Sequence, residues 1–142
     1  MEASARMTCD FLQLREDQTA LLCLPVDYIA GKMMVVRAMV QKLQLISVEP
    51  DGHPLKVVEQ DIDFAAMVPL QVYNSLQNPI ERERLRRIRH LIIGGSAIDP
   101  ALARQLKDFP NAVWSTYGMT ETLSHIALRR LSGPKASEWY TP

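Results

Sequence analysis

A short run near the carboxyl end of the chain brings together an aromatic ring, a glycine, a hydroxyl and a carboxylate: Tyr117, Gly118, Thr120 and Glu121. An aromatic ring can stack on a base, and a glycine lets a ligand approach the backbone. A hydroxyl can donate to a phosphate oxygen, and one carboxylate combined with phosphate oxygens suits magnesium. The run therefore predicts nucleotide binding. The alternative is that Tyr117 packs in a core and Thr120 caps a turn beside a solvated Glu121.

Gly94, Gly95, Ser96 and Ala97 form a second candidate segment. Two adjacent glycines allow a ligand to lie against the backbone. The Asp-Pro pair at 99–100 is typical of the N-cap and first position of a helix, where free N–H groups favour anions. The segment is therefore a second candidate for nucleotide binding, and the alternative is an ordinary strand-to-helix turn.

Hydrophobic periodicity predicts the elements that must position these residues. Apolar residues at helical spacing predict helices at 1–14, 28–43, 70–76, 79–87 and 99–108, and short apolar runs predict strands at 19–24, 44–48, 65–68, 88–93, 111–114 and 124–129. Strands that alternate with helices are typical of the α/β class, with a mainly parallel sheet and helices on both faces.

Three polar or glycine-containing segments follow predicted strands, at 25–32, 94–98 and 116–121. The carboxyl ends of parallel strands meet at one edge of the sheet, where open α/β proteins bind their ligands. We therefore expect these three segments to converge.

The composition favours a single globular domain with small-molecule partners. The chain has 142 residues, 47% of them hydrophobic, and 16 basic residues balance 16 acidic ones. This balance gives no global field that would attract nucleic acid or an anionic membrane. The basic stretch 81–90 interleaves glutamates with arginines and lacks an aromatic residue, so a solvated helix is favoured over a nucleic-acid surface. We find no domain boundary within 1–142, and a homodimer is compatible with the sequence.

Two cysteines, Cys9 and Cys23, are too few for a disulfide framework, and Cys23 lies within an apolar run. Free thiols of this kind are typical of a reducing cytoplasm. No window reaches the ~18 apolar residues of a membrane span, and the first residues lack the pattern of a signal peptide. A cytoplasmic location is therefore expected.

The motifs resemble those of the adenylate-forming enzymes, which include acyl-CoA and aryl-CoA synthetases, luciferases and peptide-synthetase adenylation domains. Residues 117–121, Tyr-Gly-Met-Thr-Glu, match the family motif Tyr-Gly-x-Thr-Glu at every fixed position, and 91–98 resembles its glycine-rich adenine segment. Residues 24–31 are similar to the aromatic motif of the acid pocket, although many members have His in place of Tyr28. Within the family, 116–122 and 124–127 are most similar to the o-succinylbenzoate CoA ligases of menaquinone biosynthesis.

The resemblance implies a two-step reaction in which a carboxylic acid and ATP give an acyl-adenylate and pyrophosphate, and CoA then displaces AMP. Thr120 and Glu121 would be the catalytic residues, with Glu121 holding Mg²⁺. It implies nucleotide contacts from Gly94, Gly95, Ser96, Ala97, Thr116, Tyr117, Gly118 and Thr120, and substrate contacts from Tyr28, Gly31, Lys32, Ser124 and His125. Lys32 and His125 could equally be an ordinary solvated lysine and a strand histidine.

Family members also carry a phosphate loop that ends in Lys-Gly, an aspartate for the ribose and a catalytic lysine, and none of these motifs occurs in this chain. The resemblance therefore implies that 1–142 is an internal part of the large N-terminal domain, and that it is inactive alone. Two alternatives stay open: a noncatalytic nucleotide-binding fragment, or a parent of another adenylate-forming type.

Overall fold

The computed structural model describes residues 6, 9–10, 12–27, 29–94, 99–116 and 128–131. The strands are β1 (Thr19–Leu22), β2 (Gln44–Ser47), β3 (Phe64–Met67), β4 (His90–Ile93), β5 (Ala112–Thr116) and β6 (Leu128–Arg130). The helices are α1 (Ile29–Gln41), α2 (Pro69–Leu76), α3 (Pro79–Arg86) and α4 (Pro100–Leu106), together with a 3₁₀ helix at Pro54–Val57 that the sequence did not predict. Every predicted strand and helix after residue 18 has a counterpart among these elements.

The strands form one sheet in the order β2-β1-β3-β4-β5-β6. The first five strands are parallel, and β6 runs antiparallel to β5. The chain moves from β1 outward to β2 and then returns to the other side of β1, so the topology reverses between β1 and β3. This architecture confirms the predicted α/β class with a mainly parallel sheet.

Alternate residues of the central strands face opposite sides of the sheet, because successive side chains of a strand point in opposite directions. One face, here called the first face, carries Leu21, Ala65, Met67, Leu91, Ile93 and Val113. The second face carries Ala20, Leu22, Phe64, Ala66 and Ile92. Apolar residues on both faces explain why these strands appear in the sequence as continuous apolar runs.

Helices cover both faces, as predicted. The 3₁₀ helix, α2, α3 and α4 pack on the first face through Leu55, Val72, Leu85 and Leu106 among others. Met34 and Ala38 of α1 pack on the second face, together with Cys9, Leu12 and Leu14 of the N-terminal residues. None of the helices within the described ranges is long and apolar enough to cross a membrane.

Two helix starts show N-cap hydrogen bonds, and the one at Asp99 was predicted. The Asn78 side chain accepts hydrogen bonds from the amides of Ile80 and Glu81 at the start of α3, at 2.9 and 3.2 Å. Asp99 accepts from the amide of Ala101 at 2.9 Å, with Pro100 at the first helical position of α4. Both pairs satisfy amides that have no partner within the helix.

Four of the five predicted helices end earlier than the sequence indicated, and two of these ends share one hydrogen-bond pattern. Arg6, Cys9 and Asp10 are helical, but Gln13 has a φ of 56° and the amide of Leu14 bonds to Cys9 O at 2.9 Å. This is the hydrogen-bond pattern of a Schellman cap, in which a left-handed residue ends the helix and a following apolar residue packs back. The amide of Leu43 likewise bonds to Ala38 O, after Lys42 at a φ of 58°, so α1 ends at Gln41.

One charged side chain lies within the apolar layer of the second face. Arg37 of α1 is 5% exposed and its guanidinium lies 5.7 Å from the centre of the Phe64 ring. Its Nη1 lies 3.8 Å from Met34 Sδ, and among the described residues no carboxylate forms an ion pair with it. Burial lowers the pKa of Arg37 to about 10, and the electrostatic effect of Cys9 partly opposes this change. The charged form of Arg37 is therefore destabilised by its surroundings.

Candidate active site at the carboxyl edge of the sheet

The carboxyl ends of the five parallel strands lie along one edge of the sheet, at Leu22, Ser47, Met67, Ile93 and Thr116. All three predicted segments leave the sheet at this edge, because 25–32 follows β1, 94–98 follows β4 and 116–121 begins at the end of β5. The topology therefore places the starting points of the three segments along one edge of the sheet.

Gly94 and Thr116 lie on adjacent strands at the same level. Ile93 pairs with Ser115 in the parallel register, so the next residue of each strand is about 5 Å from the other, the usual distance between neighbouring strands. The Gly94 amide donates to Met67 O at 3.0 Å, which continues the ladder between β3 and β4. The first residues of the two predicted nucleotide segments are therefore neighbours.

The connection 117–127 starts and ends at this edge, because Thr116 at the end of β5 pairs with Leu128 at the start of β6. It contains the predicted site residues Tyr117, Gly118, Thr120, Glu121, Ser124 and His125, all of which lie outside the described residues. Tyr28, Gly95, Ser96 and Ala97 also lie outside them. The register thus fixes where the connection leaves and rejoins the sheet.

Gly31 in the first turn of α1 is buried, and the backbone after β1 passes directly over it. A Cβ added at Gly31 would overlap the Pro25 carbonyl oxygen and lie 2.7 Å from its carbonyl carbon. Because both atoms belong to the backbone, they cannot move aside as a side chain would. Glycine is therefore required for the close approach of α1 to the β1–α1 connection.

Lys32 follows Gly31 on α1 and is exposed. Its charge is therefore accessible from solvent at this end of α1.

Sequence reasoning missed a buried glutamine at the same edge. Gln71 of α2 is 4% exposed. Its Nε2 donates to Cys23 O at 3.0 Å and to Asp51 O at 2.9 Å, and its Oε1 accepts from the Val68 amide at 3.1 Å. These three backbone groups follow β1, β2 and β3, so one side chain joins the exits of three adjacent strands. We call Gln71 with these three groups the Gln71 clasp.

Cys23 within the clasp is not poised as a nucleophile. Burial, together with the nearby charge of Asp51, raises the pKa of the Cys23 thiol to about 12. The thiol is therefore neutral near pH 7, and its Sγ lies 3.4 Å from Ala66 O, to which it donates. No cluster of three or more His, Cys, Asp or Glu side chains suited to a metal ion occurs in the described part of the chain.

The fold is that of an α/β protein, and the candidate segments start at the carboxyl edge of its parallel sheet, where open α/β proteins bind their ligands. A sequence profile of the AMP-binding enzymes matches residues 2–141. The chain therefore belongs to this family, the adenylate-forming enzymes, as its motifs predicted.

Individual relatives agree with this assignment. The chain is 44% identical to an acyl-CoA synthetase (AMP-forming)/AMP-acid ligase II-like protein from Dyadobacter fermentans, with a TM-score of 0.92 over 99% of this chain and 40% of that protein. It is 25% identical over 128 residues to the 2-succinylbenzoate–CoA ligase of Haemophilus influenzae, covering 89% of this chain. An o-succinylbenzoate CoA synthetase of Bacillus subtilis shares the fold, with a TM-score of 0.72 at 20% identity over 90% of this chain and 27% of that enzyme.

The chain is much shorter than these relatives. It spans 28% of the Haemophilus ligase and 40% of the Dyadobacter protein. The fold of this part and its family are therefore shown, whereas the activity of a whole protein is a matter for proposal.

Proposed function

We propose that the protein carrying this chain is an ATP-dependent acid–CoA ligase. The proposal is supported by membership of the AMP-binding family and by the likeness to the Dyadobacter acyl-CoA synthetase-like protein. The observation that carries it in this structure is the adjacency of Gly94 and Thr116, from which both predicted nucleotide segments start. The reaction has two steps: formation of an acyl-adenylate with release of pyrophosphate, and transfer of the acyl group to the CoA thiol with release of AMP.

The residues of the proposed site divide between binding and charge stabilisation. Residues 94–97, with Thr116, Tyr117 and Gly118, hold the adenine, and the Tyr117 ring is available for stacking. Thr120 donates to a phosphate oxygen as charge shifts during attack on the α-phosphate. Glu121 and the phosphate oxygens form a donor set that suits Mg²⁺, which would offset phosphate charge when bound.

For the acid we propose o-succinylbenzoate, which would place the enzyme in menaquinone biosynthesis. Support comes from the similarity to the Haemophilus protein named 2-succinylbenzoate–CoA ligase. Tyr28 and Gly31 line the acid pocket in this proposal. The second carboxylate of such a substrate needs a donor or a cation, and Lys32, Ser124 and His125 are the candidates. Exposed Lys32 is accessible to such a ligand.

A second proposal concerns the 142-residue chain by itself. It lacks the phosphate loop and the catalytic lysine of the family, and it spans less than half of the relatives named above. We expect the isolated chain to bind nucleotide without turning it over. Titration with ATP, AMP and Mg²⁺ by calorimetry, combined with an assay for pyrophosphate, tests this expectation, and pyrophosphate formation by the chain alone would overturn it.

Exchange of labelled pyrophosphate into ATP tests the proposed reaction class in the complete protein. We expect exchange only when a carboxylic acid is added, and AMP release to become fast only when CoA is also present. Succinylbenzoate, benzoate and octanoate should be compared, with an assay lacking acid as the control. Exchange without acid, or none with any acid, argues against the class. A preference for octanoate over succinylbenzoate argues only against the proposed substrate.

A further inference from the structure

We propose that Gln71 is a positioning residue for the carboxylic acid substrate. It would act by fixing the β1–α1 connection, which carries the proposed acid pocket, and would contact neither the acid nor ATP. This inference rests on the proposed function. It adds a residue that the motifs did not indicate. It also distinguishes the exits of β1, β2 and β3, which Gln71 joins, from those of β4 and β5.

Every polar group of the Gln71 side chain forms a hydrogen bond with the backbone. Both N–H bonds of its amide have carbonyl acceptors, Cys23 O at 3.0 Å and Asp51 O at 2.9 Å, and its oxygen accepts from the Val68 amide at 3.1 Å. The side chain is 4% exposed, and its bond to the buried Cys23 carbonyl is shielded from water. A buried amide with donors and acceptor all satisfied fixes its neighbours strongly, because losing it would remove a partner from three backbone groups, of which that of Cys23 is buried.

No other side chain type could supply this set of bonds at the same length. A glutamate accepts from Val68 but cannot, when ionised, donate to the two carbonyl oxygens. A methionine has a similar length and volume and forms none of the three strong hydrogen bonds. The pair of substitutions therefore separates loss of the donors from loss of the whole set.

The residues between the Gln71 clasp and the proposed acid pocket are tightly packed. Gln71 holds Cys23 O, the next residue Leu24 is 7% exposed, and Pro25 presses its carbonyl against Gly31. A shift of Cys23 is therefore passed to Pro25 and to the first turn of α1, which carries Lys32. Tightly packed segments transmit such shifts because the interior has few voids to absorb them.

The nucleotide segments are connected differently. Gly94 and Thr116 extend β4 and β5, and the Gly94 amide bonds to Met67 O within the strand ladder. Gln71 bonds to no residue of β4 or β5 among its described contacts. Changes at Gln71 should therefore affect binding of the acid more than binding of ATP.

Steady-state kinetics of the complete protein test this inference. We expect Gln71→Met to raise KM for the acid about ten-fold or more while KM for ATP changes by about two-fold at most, because small displacements of a binding segment have large kinetic effects. Gln71→Glu keeps the acceptor but sets a carboxylate against two carbonyl oxygens, so it should raise KM for the acid at least as much. Gln77→Met is the matched control, since Gln77 is exposed just after α2 and its side chain, within the described residues, donates to Tyr73 O. It should match the wild type.

Equal increases in both KM values, or an unchanged KM for the acid in a folded variant, would overturn the inference. If neither Gln71 variant folds, hydrogen exchange of the wild type gives the answer. Saturating acid should then slow exchange at Val68 together with 23–31, and protection confined to 23–31 would contradict the linkage. Absence of acid-dependent exchange of pyrophosphate in the wild type refutes the proposed function itself, so the two failures are distinguishable.

Discussion

The two halves of the carboxyl edge are built in different ways. At β1, β2 and β3 the backbone exits are joined by the Gln71 clasp, whose bonds connect Gln71 to Cys23 and Asp51 across 48 and 20 residues of sequence. At β4 and β5 the strand ladder sets Gly94 beside Thr116, and the segments that follow carry the family motifs. One half is thus fixed by a buried side chain and the other by strand register followed by local sequence.

This difference predicts which parts of such a site tolerate amino-acid substitution. A register-based position is shared among many ladder bonds, so no single side chain controls it. A clasp concentrates control in one buried amide and in the close contacts around it. We therefore expect single substitutions near β1 and α1 to have large structural effects.

Gly31→Ala gives the largest expected effect on stability. The added methyl group would meet the carbonyl of Pro25, and overpacking against backbone costs about 3 kcal/mol of unfolding free energy. Gly52→Ala is the matched control, because there the nearest atom is Asn74 Nδ2 at 2.8 Å, the end of a flexible side chain. We expect it to cost about 1 kcal/mol, the price of perturbing one hydrogen bond. Urea unfolding of both variants measures the difference, and equal losses would contradict the tight contact.

Arg37→Met should have a smaller effect of opposite sign. Arg37 of α1 is buried on the second face of the sheet, and among the described residues no ion pair offsets its charge. Replacing it with an apolar side chain should therefore raise the unfolding free energy by about 2 kcal/mol at pH 7. The pKa of Arg37 is lowered to about 10, so the unfolded chain retains the proton to higher pH. The penalty is therefore complete below pH 10 and fades above it.

Measuring the increase in unfolding free energy caused by Arg37→Met at pH 7 and above pH 10 tests this expectation. The stabilisation by Arg37→Met should shrink in the alkaline measurement. Arg86→Met is the control, because Arg86 also lies over a phenylalanine ring, Phe109, but is exposed. It should change stability by less than about 0.5 kcal/mol, as surface substitutions usually do. Destabilisation by Arg37→Met would show that the buried charge is compensated.

Local patterns predicted the elements well, and long-range contacts explain what they missed. Apolar runs located the strands, and Asp99-Pro100 located the start of α4 because capping depends on adjacent residues. The ends of α1 and of the N-terminal helix were misplaced because a Schellman cap here uses Gln13 and Lys42, residues without the usual glycine signal.

In the candidate site, too, adjacent residues predicted some features and long-range contacts determine the others. Gln71 lies three residues after the N-cap of α2, a position that predicts its bond to Val68 but not its bonds to Cys23 and Asp51. Gly31 was assigned to the acid pocket from a motif, and its close contact with Pro25 depends on how α1 docks. The predicted roles of Thr120 and Glu121 come from the resemblance and stay predictions.

The proposed adenylate-forming reaction is tested most directly at Glu121. The measurement is pyrophosphate release by Glu121→Ala in the complete protein, assayed with acid, ATP and Mg²⁺. We expect the rate to fall about 100-fold, as when one group that stabilises transition-state charge is removed. Glu83→Ala is the control, because Glu83 is an exposed residue of α3 whose ion-pair partner in the described part of the chain is exposed Arg87 at 3.7 Å, and it should retain the wild-type rate. An unchanged rate in Glu121→Ala would contradict the assigned role of this carboxylate.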